Sequence, residues 1–173
     1  LVLAPLVPLG AHSAVGTTDQ YRVVSTIRGS EVAADPTNGL ALEAAVRRRE
    51  LLAADSRAPD EIRLATVQRI TRAQYFGGPR QFAHFSVMGF VVAGRDTGNR
   101  AFELSAATEL SAISVTALEA AGLTDLRLEV TDLRSGGRIL ESIQSGFSDR
   151  AEVVPAPDRL SAGYYYTGLA VKA

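Results

Sequence analysis

Histidine is the first side chain to examine for chemistry, because its charge changes near neutral pH. The chain has two histidines, and His84 lies between Phe82 and Phe85 in an apolar run. A catalytic base at His84 would need a carboxylate to orient it and a nucleophile within reach. The sequence places neither. Two interpretations follow: a structural histidine in a strand, and the base of an enzyme that uses His84 with carboxylates.

Motifs that would reveal a cofactor or a metal are missing from the sequence. Cysteine is absent, which removes disulfides, thiolate nucleophiles and thiolate metal sites. The single lysine, Lys172, follows no glycine-rich loop, and proline interrupts Gly77-Gly78-Pro79. No Gly-x-Ser-x-Gly segment marks a nucleophile elbow. The sequence therefore predicts no cofactor and no metal site.

Two aromatic segments are better candidates for contact with a ligand or a partner. Tyr75–Arg80 combines two aromatic residues, a glycine pair and an arginine. Residues 164–166 are three consecutive tyrosines, which must place a ring on each face of a strand. Both segments also fit ordinary packing, as a turn that folds back on the core and as an edge strand. The predicted contact residues are Tyr75, Phe76, Arg80, His84 and Tyr165.

The segment Leu126–Phe147 indicates how such residues would be positioned. Leu126, Leu128 and Val130 alternate with polar residues, which is typical of a strand with one wet face. Gly136 and Gly137 tolerate a reversal of the chain. The segment therefore predicts a β-hairpin.

Other segments supply the remaining elements. Leu40–Ala54 predicts the main helix, with Leu42, Ala45, Val46, Arg49 and Leu52 near one face. Phe82–Ala93 is almost continuously apolar, which predicts a central strand covered on both faces. Ile62–Phe76 opens like a helix but favours a strand in composition. Further strands are predicted at Tyr21–Ile27, Phe102–Val115 and Tyr164–Val171. The predicted class is α+β: a largely antiparallel sheet of about six strands, covered on one face by the helix 40–54.

Composition limits the class of partner. The chain has 173 residues, of which 46% are hydrophobic, and a formal net charge of −1. A single domain over 15–173 can bury a core without staples. The near-zero charge gives no overall field for nucleic acid. The one basic run, Arg47-Arg48-Arg49, is flanked by Glu43 and Glu50, so it is typical of a solvated helix face.

Residues 1–14 are apolar and uncharged, and they end in Ala-His-Ser-Ala. The small residues Ala11, Ser13 and Ala14 are typical of a signal-peptide cleavage region, although His12 occupies the position two before the last, and Pro5 and Pro8 argue against a spanning helix. We therefore interpret this segment as the remnant of a signal peptide or as an N-terminal arm. A lipobox cysteine upstream would make the protein a lipoprotein. No membrane span is predicted in the mature chain.

Together these features predict an exported bacterial-type envelope protein, periplasmic or outer-membrane-associated, that works as a non-enzymatic interaction or scaffold protein. The alternative is a carrier of a small apolar ligand in a cavity between helix and sheet. The enzyme that uses His84 is the third hypothesis. The sequence specifies no partner, ligand, strand order or oligomeric state.

Overall fold

The chain divides into two units in a computed structural model, which describes residues 1–16, 18–75, 77–79, 82–158 and 166–173. The first unit, Leu1–Arg95, contains β1 (Leu6–Pro8), a π-helical turn (Ala11–Val15), a 3₁₀ turn (Gln20–Arg22), β2 (Ser30–Val32), α1 (Pro36–Ala54), β3 (Ile62–Thr71) and β4 (His84–Ala93). The second unit, Asp96–Ala173, contains α2 (Ala101–Ala120), β5 (Arg127–Asp132), α3 (Arg138–Phe147), β6 (Glu152–Pro155) and β7 (Leu169–Lys172). The single domain over residues 15–173 stays a prediction.

The antiparallel pair β3–β4 is the framework of the first unit. All ten residues of each strand are paired, from Ile62 opposite Ala93 to Thr71 opposite His84. Burial alternates along β3, because successive side chains point to opposite faces of the pair. Leu64 and Ile70 point inward, where α1 packs against both strands. The predicted strands at 62–76 and 82–93 are therefore confirmed in type.

Helix α1 begins with a cap and a proline. Asp35 Oδ1 accepts a hydrogen bond from the Thr37 backbone N–H at 2.8 Å, and Pro36 occupies the first turn. Its buried residues are Pro36, Leu40 and Ala44, spaced four apart on one face. The helix is confirmed, but the predicted apolar face is wrong, since Leu42 and Val46 are 43% and 39% exposed.

A close approach between α1 and β4 explains which face is buried. A Cβ on Gly89 would lie 3.1 Å from Pro36 Cγ and 3.4 Å from Leu40 Cδ1. The missing side chain lets the first turns of the helix lie directly on the strand. The helix is thereby oriented by Pro36 and Leu40 rather than by the more apolar stripe around Leu42.

Residues 1–14 pack within the first unit in this structure. β1 pairs antiparallel with β2, from Leu6 opposite Val32 to Pro8 opposite Ser30. The buried side chains of Thr66 and Gln68 donate hydrogen bonds to the carbonyls of Leu1 and Ala4, at 2.9 and 2.7 Å. Through these contacts, residues 1–14 pack as an N-terminal arm in this structure. The interpretation as a leader stays a prediction.

The second unit is a three-stranded sheet of order β6-β5-β7 with two helices. β6 lies parallel to β5 after the crossover through α3, and β7 lies antiparallel to β5. The apolar core draws on α2, α3 and β5. Its buried members are Ala107, Val115, Leu128, Val130, Ile139, Ile143 and Phe147.

The predicted hairpin at 126–147 is wrong in its second half. β5 forms as expected, but Gly136 and Gly137 have φ of +67° and +92° and lead into α3 rather than into a strand. Ile139, Ile143 and Phe147 then recur every four residues, so a helix buries all three against the sheet. A glycine pair with positive φ fits the start of a helix as well as a strand reversal, so the glycines alone do not distinguish the two.

Two other predicted strands are also wrong. Phe102–Val115 lies inside α2, where alanine-rich sequence favours a helix over the β-branched residues near its end. Tyr21–Ile27 contains a 3₁₀ turn and one isolated bridge from Ser25 to Glu31. β7, Leu169–Lys172, overlaps the predicted closing strand at residues 169–171, and Tyr164 and Tyr165 lie outside the described residues.

The coarse class is confirmed, because the chain mixes helices with small, mostly antiparallel sheets. The single six-stranded sheet under one helix is wrong: the described residues form sheets of two, two and three strands, with α1, α2 and α3. β4 is also not covered on both faces, since Met88 on its outward side is 54% exposed. The periodicity of a single segment does not specify which strands pair with one another, and this pairing determines the number and size of the sheets.

We predict that Gly89→Ala destabilises the first unit by about 1–3 kcal/mol, because the added methyl group meets a buried, rigid proline ring that cannot turn away. Urea unfolding monitored by circular dichroism measures the change. Gly168→Ala is the matched control, since nothing lies within 4 Å of a Cβ at that position. Equal stability of the two variants would show that α1 tolerates displacement from β4.

Candidate functional site

The structure brings two of the five predicted contact residues to one end of the β3–β4 pair. His84 opens β4 opposite Thr71, and Tyr75 follows β3 by four residues. Both side chains are exposed, Tyr75 at 93%. The other three, Phe76, Arg80 and Tyr165, lie outside the described residues. The expectation that the loop aromatics fold back on the core fails for Tyr75.

One aromatic ring lies near His84 at this end of the pair, and a second, Phe85, lies on the inner face. Phe82 is 63% exposed, and its ring centroid lies 6.2 Å from that of His84. The Arg72 guanidinium lies 5.5 Å from the Phe85 ring centroid, a cation–π distance. No described carboxylate bonds to the His84 imidazole. The arrangement therefore presents a contact surface rather than an oriented base.

The outward side of the pair extends this surface. We call it the outer face, and the register defines its members as Arg63, Ala65, Val67, Arg69 and Thr71 of β3 and His84, Ser86, Met88, Phe90 and Val92 of β4. Val67 lies opposite Met88, and these side chains are 64% and 54% exposed. Ala65 lies opposite Phe90. The apolar centre of the outer face is therefore open on the side away from α1.

The two edges of the pair differ. Along β3, the Ala65 carbonyl accepts from the Leu1 amino group at 2.7 Å, and the Thr71 N–H donates to the Ala33 carbonyl at 3.0 Å. Among the described residues no strand pairs with the far side of β4. This free edge of β4 presents a row of backbone N–H donors and C=O acceptors.

A second polar group is buried in the first unit, around Glu31. This carboxylate is 1% exposed, and it accepts from the backbone N–H of His12 at 2.6 Å and of Gly10 at 3.1 Å. The Ser13 hydroxyl donates to it at 3.2 Å. The His12 ring, 2% exposed, has Nδ1 at 3.0 Å from the Asn38 amide nitrogen. Its Nε2 has no hydrogen-bond partner among the residues that the structure describes.

The pKa values of this cluster reflect burial and hydrogen bonding. Burial lowers the pKa of His12, and the nearby carboxylates of Glu31 and Asp35 offset only part of that effect. For Glu31, burial opposes ionisation most strongly, but the hydrogen bonds from His12, Gly10 and Ser13 together outweigh it and hold the pKa below its usual value. His12 is therefore neutral and Glu31 charged at pH 7.

This cluster does not assemble a nucleophile with a base. Ser13 bonds to Glu31, whereas the His12 ring bonds to Asn38, so serine and imidazole are not paired. Its effect is to fix the π-helical turn against β2 and α1. Sequence reasoning missed His12, Glu31 and Asn38, because the sequence placed His12 in a removable leader and no spacing joins the three residues.

The loop before α3 resembles an anion site in composition but is already satisfied. The Asp132 carboxylate accepts from the backbone N–H groups of Arg134, Ser135 and Gly137 and from the Ser135 hydroxyl. Burial opposes ionisation of Asp132, and these bonds outweigh it and lower its pKa. The backbone donors that would hold a phosphate are occupied by the chain itself.

The basic run on α1 is likewise neutralised. Arg47 Nε lies 2.8 Å from Glu43 Oε1, and Arg48 donates to the carbonyls of Ala58 and Asp60 at 3.0 and 2.8 Å. This placement matches the expected helix face with its charges used locally. Two of the three arginines are thus committed to contacts within the first unit.

Among the described residues, no group of three or more histidine or acidic side chains is placed to hold a metal ion, and no helix is long and apolar enough to cross a bilayer. No protein-family model matches the chain, and no curated protein matches it in sequence. The outer face is therefore the feature of the described residues that bears most directly on function.

We predict that the free energy of unfolding of the first unit falls as the pH is lowered below about 6.5, the usual pKa of histidine. The unfolded chain binds a proton on His12 more readily than the folded chain, so acid favours unfolding by up to about 1.4 kcal/mol per pH unit. Glu31 adds its own loss only below its usual value of 4.5, since its folded pKa is lower still.

Urea unfolding between about pH 7.5 and 5 measures this dependence. His12→Gln keeps a neutral polar side chain and should flatten the profile in that range. His84→Gln, at an exposed position, is the control and should retain the slope. A slope that survives His12→Gln would assign the acid sensitivity to another group.

Proposed function

We propose that this protein is a non-enzymatic interaction module of the bacterial-type cell envelope, exported to the periplasm or to the outer membrane, which holds a protein partner on the outer face. The observation that carries the proposal is the open apolar centre of that face. Val67 and Met88 lie opposite each other on the strand pair and are each more than half exposed, and Phe82, just before β4, is 63% exposed.

Apolar side chains on one surface support contact with a partner rather than exposure to water. Contiguous exposed apolar patches mark interaction sites in soluble proteins, and aromatic residues and methionine are enriched there. Arg63 and Arg69 flank the apolar centre along β3, as polar residues do at the rim of an interface. Tyr75, four residues beyond the end of β3, is 93% exposed.

The alternative functions have weaker support. A small apolar ligand could occupy an open groove of about 400 Å³, lined mainly by Leu1, Leu3, Leu42 and Val46. This groove lies between α1 and the first residues, whereas the carrier hypothesis required a cavity between helix and sheet. At that interface Gly89 meets Pro36 directly. An enzyme using His84 would need an oriented carboxylate, which the described geometry does not supply.

We predict that a photo-crosslinking amino acid at Met88 or Tyr75 forms a discrete adduct with one protein in living cells, because Met88 is exposed on the outer face and Tyr75 is exposed just beyond the end of β3. Adducts are detected by immunoblot and identified by mass spectrometry. Leu42 is the matched control, exposed at 43% but on α1. Adducts from Leu42 alone, or a lipid mass retained in a native mass spectrum, would favour the carrier.

Export is supported by the sequence of residues 1–14. We predict that the full-length gene product with a C-terminal tag fractionates with the envelope. Sequencing of its first residues then distinguishes a removed leader from a retained arm. A mature chain that began at Val15 would lack β1 and the His12 and Gly10 donors to Glu31. Retention of the whole unprocessed product in the cytoplasm would contradict export.

A further inference from the structure

We infer, on the basis of the proposed function, that the partner binds as an extended segment added to the free edge of β4, and that this segment carries an acidic side chain opposite Ser86. The interaction is thus strand addition to the β3–β4 pair. Its recognition elements are the backbone of β4, the apolar centre of the outer face and Arg69.

The backbone of β4 supplies the binding groups. Ten consecutive residues, His84 to Ala93, are extended and in register with β3, so the groups that point away from β3 form an ordered row. Contacts from Leu1 and Ala33 occupy the opposite edge, on β3. A partner strand gains main-chain hydrogen bonds at β4 without displacing any described element of the first unit.

The outer face supplies the side-chain preference. An added strand would place alternate residues beside His84, Ser86, Met88 and Phe90, because the period of a strand is two. Positions beside Met88 and Phe90 favour apolar residues. These would continue the apolar centre that Val67 already forms with Met88.

Charge favours an acidic residue at the neighbouring position. Arg69 lies opposite Ser86, whose small side chain leaves space above β4 for a long one to extend across it. Arg69 has no ion-pair partner among the described residues, whereas Arg63 pairs with Glu61 at 2.6 Å. A carboxylate on the added strand opposite Ser86 would neutralise Arg69. A second copy of this chain would instead bring another β4, which carries no carboxylate.

The test uses the full chain and a synthetic peptide, Val-Thr-Val-Thr-Asp-Thr-Val-Thr-Val, labelled for fluorescence anisotropy. Two modified peptides carry N-methyl groups on alternate residues, one set for each edge of the strand. We expect one set to weaken binding about tenfold or more and the other to leave it unchanged, because only one edge faces β4. Equal binding of the two would overturn strand addition, while crosslinking from Met88 would leave the proposed function standing.

A charge exchange tests the acidic preference. Replacing the peptide aspartate with lysine should weaken binding about tenfold, and Arg69→Glu in the protein should reverse that preference. Arg63→Glu is the matched control, since Arg63 already has a partner, and circular dichroism verifies that both variants fold. Unchanged preference in Arg69→Glu would overturn the acidic readout. A stable dimer that no peptide displaces would overturn the inference in favour of a second copy at the edge.

Discussion

The contact between Gly89 and the first turns of α1 is the constraint on which the architecture of the first unit depends. Because Gly89 has no side chain, Pro36 and Leu40 lie directly against β4, and the helix covers the inner face of the strand pair. Because the helix covers the inner face, the outer face is left open on the side away from α1. One small residue in the centre of an apolar strand thus separates the structural face from the candidate binding face.

How far the sequence predicts this fold can be judged from individual segments. Composition identified β3, β4, β5 and α1, because β-branched runs and an uninterrupted helical period are local signals. It failed at Gly136-Gly137, where glycine fits both a reversal and a helix start, and at 102–115, where alanine-rich sequence forms a helix. It also chose the wrong face of α1, since Leu42 is more apolar than Ala44 but cannot meet Gly89.

The candidate site was predictable only in part, for a related reason. Aromatic residues beside glycine identified the end of the β3–β4 pair, where the structure places Tyr75 and His84. The buried cluster of His12, Glu31 and Asn38 depends on three segments that meet only in space, so no periodicity or motif reveals it. The register of Arg69 opposite Ser86 is also a property of pairing, which a single strand does not specify.

The free edge of β4 affects how copies of the protein meet in solution. Two copies that paired through their β4 edges would bring the Arg69 side chain of each toward that of the other across Ser86. Repulsion between these two cations opposes such pairing. Salt screens such repulsion beyond about 10 Å at 0.1 M. Added salt would therefore weaken this one source of repulsion between copies.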